Sequence, residues 1–118
     1  MTLVDTSVWV DHFRNGNAEL QKLLQQDEVL VHPFVTGELA CGNLRNRAQV
    51  LSLLQQLPQA RISTDPEVLH FLELRKLWGR GIGWVDVHLL ASAMLSHAKL
   101  WTLDKRLHGL ASEIRHRR

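Results

Sequence analysis

Short apolar runs alternate along the chain with stretches whose apolar residues recur at helical spacing. TLVD at 2–5 and VLVH at 29–32 are β-branched runs that predict buried strands. ARIS at 60–63 and KLWTLD at 99–104 predict two more. Strands that alternate with helices indicate an α/β fold with a mainly parallel sheet.

Helix boundaries follow from residues that cap, start or break helices. Thr6 or Ser7 is expected to cap a first helix, and Pro33 suits the first turn of a later helix that contains Glu38. Thr64 opens a strong helix start, TDPE, and that helix is expected to run to Trp78. The other predicted helices are AELQKLLQQ at 18–26, a stretch at 46–57, WVDVHLLASAMLSHA at 84–98 after the GRGIG break, and the segment after residue 104.

Length and composition place the chain among ordinary globular proteins. Its 118 residues, 45% hydrophobic and 22% charged, predict one domain over 1–118 with a packed core. We expect no membrane association and a cytoplasmic location, because no 18-residue apolar span or basic leader is present. The single cysteine, Cys41, fits a reducing compartment and is expected to be a small buried side chain.

Charge is distributed unevenly. Residues 1–40 hold two basic and six acidic side chains, whereas residues 41–118 hold twelve basic and six acidic ones. The basic part could attract a polyanion such as nucleic acid, or it could be a solvated, solubilising surface. The candidates for contact with a nucleic-acid backbone are Arg75, Lys76, Arg80, Arg115, Arg117 and Arg118.

Four acids are candidates for one site. Asp5 and Asp104 end predicted strands, and the ligand crevice of an open parallel sheet lies outside those ends. Glu38 and Asp86 are expected near the same edge. Carboxylates that repel one another are most simply reconciled by a hard divalent cation, and such ions serve phosphodiester hydrolysis. Each acid also has a structural explanation that needs no ligand, as a helix cap or a solvated residue.

The chain resembles the PIN-domain ribonucleases, and most closely the VapC-type toxins of toxin–antitoxin pairs. The resemblance rests on VDTSVWVDHF, VTGELACG, WVDVHLLASAML and LWTLDKRL, which occur in the family's order across nearly the full length. It implies an α/β/α sandwich around a mainly parallel sheet. It also implies a dimeric toxin that is silenced by a cognate antitoxin.

The resemblance further implies an endoribonuclease that uses Mg²⁺ or Mn²⁺ and leaves a 5′-phosphate and a 3′-hydroxyl. Asp5 and Asp86 would be the principal metal ligands, with Glu38 holding metal or water and Asp104 completing a second metal position. The hydroxyl residues Ser7 and Thr102 would support the carboxylates or the substrate. Trp84 departs from the proline or small residue common in the family, and it is either a stacking platform for a base or a core residue.

Other readings differ in what they require of the sequence. A non-catalytic PIN-like module that binds RNA or protein gains nothing from four repelling carboxylates. A phosphoacceptor domain is expected to carry an acidic pair at the first strand, where TLVDTS has one acid. The seven histidines have no pair three or four residues apart, which disfavours a zinc site.

Overall fold

A computed structural model describes residues 1–116, which form three strands and seven helices. The strands are β1 (Thr2–Val4), β2 (Val29–Leu30) and β3 (Lys99–Trp101). The helices are α1 (Thr6–Asn15), α2 (Ala18–Gln25), α3 (Pro33–Cys41), α4 (Arg47–Gln56), α5 (Asp65–Leu74), α6 (Trp84–Leu95) and α7 (Lys105–His116).

The three strands form a parallel sheet in the order β2-β1-β3, so the first strand of the chain lies in the middle. In the register, Leu3 pairs with Leu30 on one side and with Leu100 on the other. The carboxyl ends of all three strands therefore meet at one edge of the sheet. The predicted α/β fold with a parallel sheet is confirmed.

Helix α6 is buried all round and joins two apolar clusters. Every residue from Val87 to Ala93 is buried, although the sequence pattern predicted one apolar side. Leu89 packs into a cluster with β1 and β2, while Leu90 packs into a second cluster with α5 and α7. A helix buried on every side is held firmly, and this fixes the position of its first turn.

The segment 60–63 is not the strand that the sequence predicted. It is extended, but in its neighbourhood one isolated parallel bridge forms, between Val31 and Gln59. The backbone N–H of Ala60 donates to the Val31 carbonyl at 2.9 Å. The Ser92 hydroxyl donates to the Arg61 carbonyl. A side chain of α6 therefore occupies this carbonyl in place of a neighbouring strand.

Helix α5 ends at Leu74, earlier than the predicted Trp78. Lys76 adopts a left-handed conformation with φ of 53°. The N–H groups of Lys76 and Leu77 donate back to the Glu73 and Leu72 carbonyls. This is the Schellman arrangement, which stops a helix, and it buries Leu77.

Two side chains differ from their predicted roles. Cys41 is exposed rather than buried, because it lies at the last turn of α3 on the solvent side. Asp5, rather than Thr6 or Ser7, caps α1: its backbone is extended and its side chain accepts from Thr6 N–H. Among residues 1–116, we found no helix with the length and hydropathy needed to cross a membrane.

Candidate active site

Asp5 lies at the centre of the site because it follows the central strand and caps α1. Its side chain is 8% exposed. One oxygen, Oδ1, accepts from the Thr6 backbone N–H at 2.7 Å. The other, Oδ2, accepts from the Ser7 hydroxyl at 2.9 Å and from the Thr102 hydroxyl at 2.7 Å. Three donors thus fix the carboxylate, and Oδ1 retains a lone pair for a further partner.

The two hydroxyls are oriented by backbone donors. Ser7 Oγ accepts from Leu103 N–H at 3.0 Å, and Thr102 Oγ1 accepts from Asp104 N–H at 3.1 Å. Each hydroxyl has one proton, and each gives it to Asp5. The 3.4 Å approach of Ser7 Oγ to Thr102 Oγ1 therefore reflects two donors that converge on one oxygen.

Glu38 reaches the site through Thr6. The Thr6 hydroxyl donates to Glu38 Oε1 at 2.7 Å across 32 residues of sequence. Thr6 thereby links the carboxylate on α3 to the first turn of α1, beside Asp5. Glu38 itself is exposed, so its second oxygen can face a ligand.

Asp86 and Asp104 cap the helices that carry them. Asp86 lies in the first turn of α6 and its Oδ2 accepts from Gly83 N–H at 3.1 Å. Asp104 precedes α7 and its Oδ1 accepts from Leu107 N–H at 3.0 Å. In both cases the second carboxylate oxygen is left for another partner. The capping role that the sequence allowed for these acids is real, and it leaves room for a further role.

Charge repulsion connects the three aspartates. Burial raises the pKa of Asp86, the Gly83 hydrogen bond opposes that rise, and the carboxylates of Asp5 and Asp104 raise the pKa further. A carboxyl that responds to both neighbours lies within electrostatic reach of both. Asp5 and Asp104 therefore lie within electrostatic reach of Asp86, and Glu38 is attached to the start of α1 through Thr6.

The donors of this cluster suit a hard cation. Within residues 1–116, no three His, Cys, Asp or Glu side chains stand close enough together to hold a metal ion as placed. Mg²⁺ does not require such a cage, since it commonly takes one or two carboxylates and keeps several waters. Oxygen ligands with unused lone pairs on Asp5, Asp86 and Asp104 meet that need.

The predicted nucleic-acid contacts are dispersed. The Arg75 guanidinium lies 3.6 Å from the Met94 sulfur. Met94 follows Asp86 by eight residues on α6, which is about 12 Å along the helix axis. Lys76 is its exposed neighbour, and Arg115 lies on the last turn of α7, away from Asp104. Arg117 and Arg118 lie outside the described residues.

Arg80 and Trp84 lie on either side of the glycine-rich turn before α6. Arg80 pairs with Glu113 at 3.1 Å and borders a concavity that Lys105 and Arg106 also line. Trp84 begins α6, two residues before Asp86, and is 41% exposed.

Sequence reasoning missed Thr6, Lys105 and Arg106. Thr6 holds Glu38, and a hydroxyl directly after a strand-end aspartate could have indicated it. Lys105 and Arg106 follow Asp104 directly, and Arg106 packs across Gly81, whose φ is +82°. A side chain at Gly81 would collide with that arginine.

Comparison with known proteins identifies the class. The sequence model of the PIN domain matches residues 2–113, and the chain belongs to the PIN domain family. Two relatives are called Ribonuclease VapC32, from Mycobacterium tuberculosis strains CDC 1551 / Oshkosh and ATCC 25618 / H37Rv. Each is 49% identical over 114 residues, which cover 96% of this chain and 92% of the relative. The resemblance to VapC-type PIN ribonucleases is confirmed.

Proposed function

We propose that this chain is an endoribonuclease toxin that hydrolyses RNA phosphodiesters with the help of Mg²⁺ or Mn²⁺. The observation that carries the proposal is that Asp86, in the first turn of α6, lies within electrostatic reach of both Asp5 and Asp104. The name of the two VapC32 relatives supports the same activity. The nuclease domain would comprise residues 1–118.

Asp5, Asp86, Asp104 and Glu38 would hold the ion or ions. When bound, the ion supplies positive charge that activates water and stabilises the charged transition state of phosphodiester hydrolysis. Metal loading also removes the repulsion among the carboxylates that the protein otherwise retains.

The surrounding residues prepare these carboxylates. Ser7 and Thr102 hold Asp5 in one rotamer. Little conformational entropy is therefore lost in orienting this carboxylate during the reaction. Thr6 orients Glu38, whose outer oxygen would position the attacking water. Because the hydrogen bonds from Ser7 and Thr102 fix the Asp5 carboxylate, the free lone pair of Oδ1 is directed at one position, where the ligand would bind.

Cations on one side of the acids would hold the RNA backbone. Lys105 and Arg106 follow Asp104 and line, with Arg80 and Glu113, a shared concavity. A phosphate adjoining the cleaved bond would contact Lys105 and Arg106. Arg75 and Lys76 are more distant and would contact a longer RNA. Trp84 would contact a base.

We also propose the partners that are typical of the family. A cognate antitoxin would silence the enzyme, the chain would form a homodimer, and the complex would act in the cytoplasm. A toxin of this kind must be inhibited until it is needed, and occlusion of the acidic site by a partner would do so.

The activity is tested with purified wild type and Asp5→Asn on total cellular RNA, with Mg²⁺ and with a chelator. Circular dichroism first establishes that both proteins fold, and Glu73→Gln, an exposed change on α5, is the matched control. Discrete cleavage that requires both Mg²⁺ and Asp5 is the expected result. Equal inertness of wild type and Asp5→Asn, with RNA still bound, would contradict the proposal and favour a non-catalytic RNA-binding module.

A further inference from the structure

One edge of the parallel sheet is open. β3 pairs with β1 on one side, and within residues 1–116 no strand pairs with its other side. Lys99 N–H donates to the Met1 carbonyl at 3.2 Å. The Trp101 carbonyl accepts from Asp5 N–H at 2.9 Å. Because residues along a strand face alternate neighbours with their backbone groups, the N–H and C=O of Leu100 point away from β1.

The backbone of β1 shows the same alternation. Thr2 N–H donates to the Glu28 carbonyl at 2.8 Å, on the side of β2, whereas Met1 and Asp5 bond to β3. Outside the ladder with β1, the described residues provide no hydrogen-bond partner for the Leu100 backbone. An edge strand with free N–H and C=O groups can pair with a further strand.

A cavity of about 360 Å³ surrounds this edge, a volume typical of ligand pockets. Leu100 and Trp101 both line it, and as successive strand residues they point to opposite faces of the sheet. Trp101 packs against the same apolar cluster as Leu23 of α2, while Leu100 also packs against the cluster that contains Leu90 and Ile114. Leu23, Leu90 and Ile114 line the cavity as well. A strand added at this edge would therefore place side chains in the cavity on both faces.

The cavity carries more basic than acidic side chains. Lys99 and Arg115 line it and are exposed, as are His108 and His116, and Glu19 is the one acid among the described lining residues. Carboxylates on a partner would complement this charge. A second copy of the chain, paired by a two-fold axis, would instead place the same cations against each other. Charge therefore favours a different chain as the occupant.

The cavity is distinct from the acidic site. Ile114 follows Asp104 by ten residues along α7, which is about 15 Å. Lys99 begins β3, whereas the acids follow the ends of the strands. None of the four acids lines the cavity. Binding at this edge can therefore be measured without altering the carboxylates.

We propose that β3 is a docking edge for an extended segment of another protein, in which apolar and acidic residues alternate. The segment would add a fourth strand to the sheet and bond to the N–H and C=O of Leu100. Its apolar side chains would enter the cavity beside Leu90 and Ile114, and its carboxylates would contact Lys99 on the opposite face. The inference does not depend on ribonuclease activity.

Hydrogen exchange at the Leu100 amide tests strand addition directly. The probe is a synthetic peptide of eight alternating valine and glutamate residues, added to the ¹⁵N-labelled full chain. In free protein, Leu100 N–H should exchange faster than Trp101 N–H, which faces β1. At saturation with the peptide, exchange at Leu100 should slow at least about tenfold.

Binding measurements separate the charge from the backbone contact. Fluorescence anisotropy of the labelled peptide should give at least about tenfold weaker binding to Lys99→Glu. A peptide of alternating valine and lysine should show the reverse preference. Arg14→Glu, at an exposed residue of α1 outside the cavity, is the matched control and should bind like wild type. Leu100→Pro removes the outward N–H without removing a bond to β1, and should abolish binding in protein that circular dichroism shows to be folded.

Three results would overturn the inference. The first is the absence of saturable binding of the valine–glutamate peptide to wild type at concentrations up to about 1 mM. The second is binding without slower exchange at Leu100, which would make the cavity a site for side chains or small molecules alone. The third is slow exchange at Leu100 in peptide-free protein that depends on protein concentration, which would assign the edge to a second copy of the chain.

Discussion

At the scale of single residues, Asp86 and Asp104 each use one of their two carboxylate oxygens to cap a helix. Asp104 uses Oδ1 to cap α7, and Asp86 uses Oδ2 to accept from Gly83 N–H. The remaining oxygen of each is available to a ligand. A residue that is needed for helix capping can therefore also be a functional carboxylate, and the two readings that the sequence left open do not exclude each other.

Thr102 connects two of these acids, and its loss should reduce both stability and activity. Thr102→Val removes the proton donated to Asp5 and the acceptor for Asp104 N–H. In a site 4% exposed, we expect the free energy of unfolding to fall by about 1–3 kcal/mol. RNA cleavage should fall about 10- to 100-fold, as for other residues that orient metal ligands.

Urea unfolding of Thr102→Val beside Thr2→Val checks this expectation. Thr2 lies half-buried at the start of β1, away from the acids, and its change should stay within about 0.5 kcal/mol. Equal stability of the two variants would contradict the assigned role of Thr102.

His32 makes the stability sensitive to acid. Burial and, to a smaller extent, the neighbouring His88 together lower the pKa of His32 from 6.5 to about 4. The folded protein thus binds this proton more weakly than the unfolded chain. Stability from the neutral ring is complete above pH 6.5 and is lost as the pH falls to about 4, by a total on the order of 3 kcal/mol.

His32→Asn tests this pH dependence. Asparagine retains an oxygen that can accept from Phe34 N–H, as His32 Nδ1 does, but does not titrate. As the pH falls from 7 to 4, the free energy of unfolding should decrease steeply in the wild type and less steeply in His32→Asn. Parallel curves would contradict the assignment.

At the scale of elements, three of the acids lie at helix N-termini. Asp5, Asp86 and Asp104 lie at the starts of α1, α6 and α7. The positive ends of the helix dipoles partly offset carboxylate charge. The acids can therefore persist in the folded protein without a cation, although at a cost that appears in the raised pKa of Asp86.

Asp86→Asn should expose that cost in metal-free protein. Because the pKa of Asp86 is raised above 3.8, the folded state binds its proton more tightly than the unfolded chain, and stability from this group is lost as the pH rises. Asparagine resembles the protonated form. In chelator, Asp86→Asn should be more stable than wild type at neutral pH, and the difference should shrink as the pH falls towards 3.8. A difference that is independent of pH would contradict the raised pKa of Asp86, which burial causes first and the carboxylates of Asp5 and Asp104 increase.

The sequence predicted the elements well and their ends less well. The three strands and the acids that follow them were evident from apolar runs that stop at Asp5 and Asp104. Helix ends were missed where a residue other than glycine takes the left-handed conformation: Lys76 after α5 and His97 after α6, both with φ of 53°. Local sequence carries no strong signal for such a stop, since tertiary burial of Leu77 and Ala98 contributes to it.

The places of the four acids on helices and at strand ends were predictable from the sequence, but their hydrogen-bond partners were not. Apolar runs indicated that Asp5 and Asp104 follow strands at the same edge of the sheet. The hydrogen bond from Thr6 to Glu38 and the rings around His88 join residues that are far apart in sequence. Such contacts depend on how α3 and α6 pack, which helical periodicity does not specify.

At the scale of the whole molecule, the sheet order determines which segments of the chain border the site. With β1 in the centre, its carboxyl end is adjacent to segments that follow both neighbouring strands. The acidic first part of the chain supplies Asp5 and Glu38, and the basic second part supplies Asp86, Asp104 and the cations beside them. Acids from both parts of the chain thereby border the carboxyl end of the central strand.

The central claim is that acids from separate elements form one cation site, and equilibrium binding of Mn²⁺ tests it most directly. Free Mn²⁺ is measured by electron paramagnetic resonance with wild type, Asp5→Asn, Asp86→Asn, Asp104→Asn and the control Glu73→Gln. We predict saturable binding to wild type and Glu73→Gln, and affinity at least about tenfold weaker in each asparagine variant. Absence of binding to wild type, or unchanged binding in the three asparagine variants, would contradict the account.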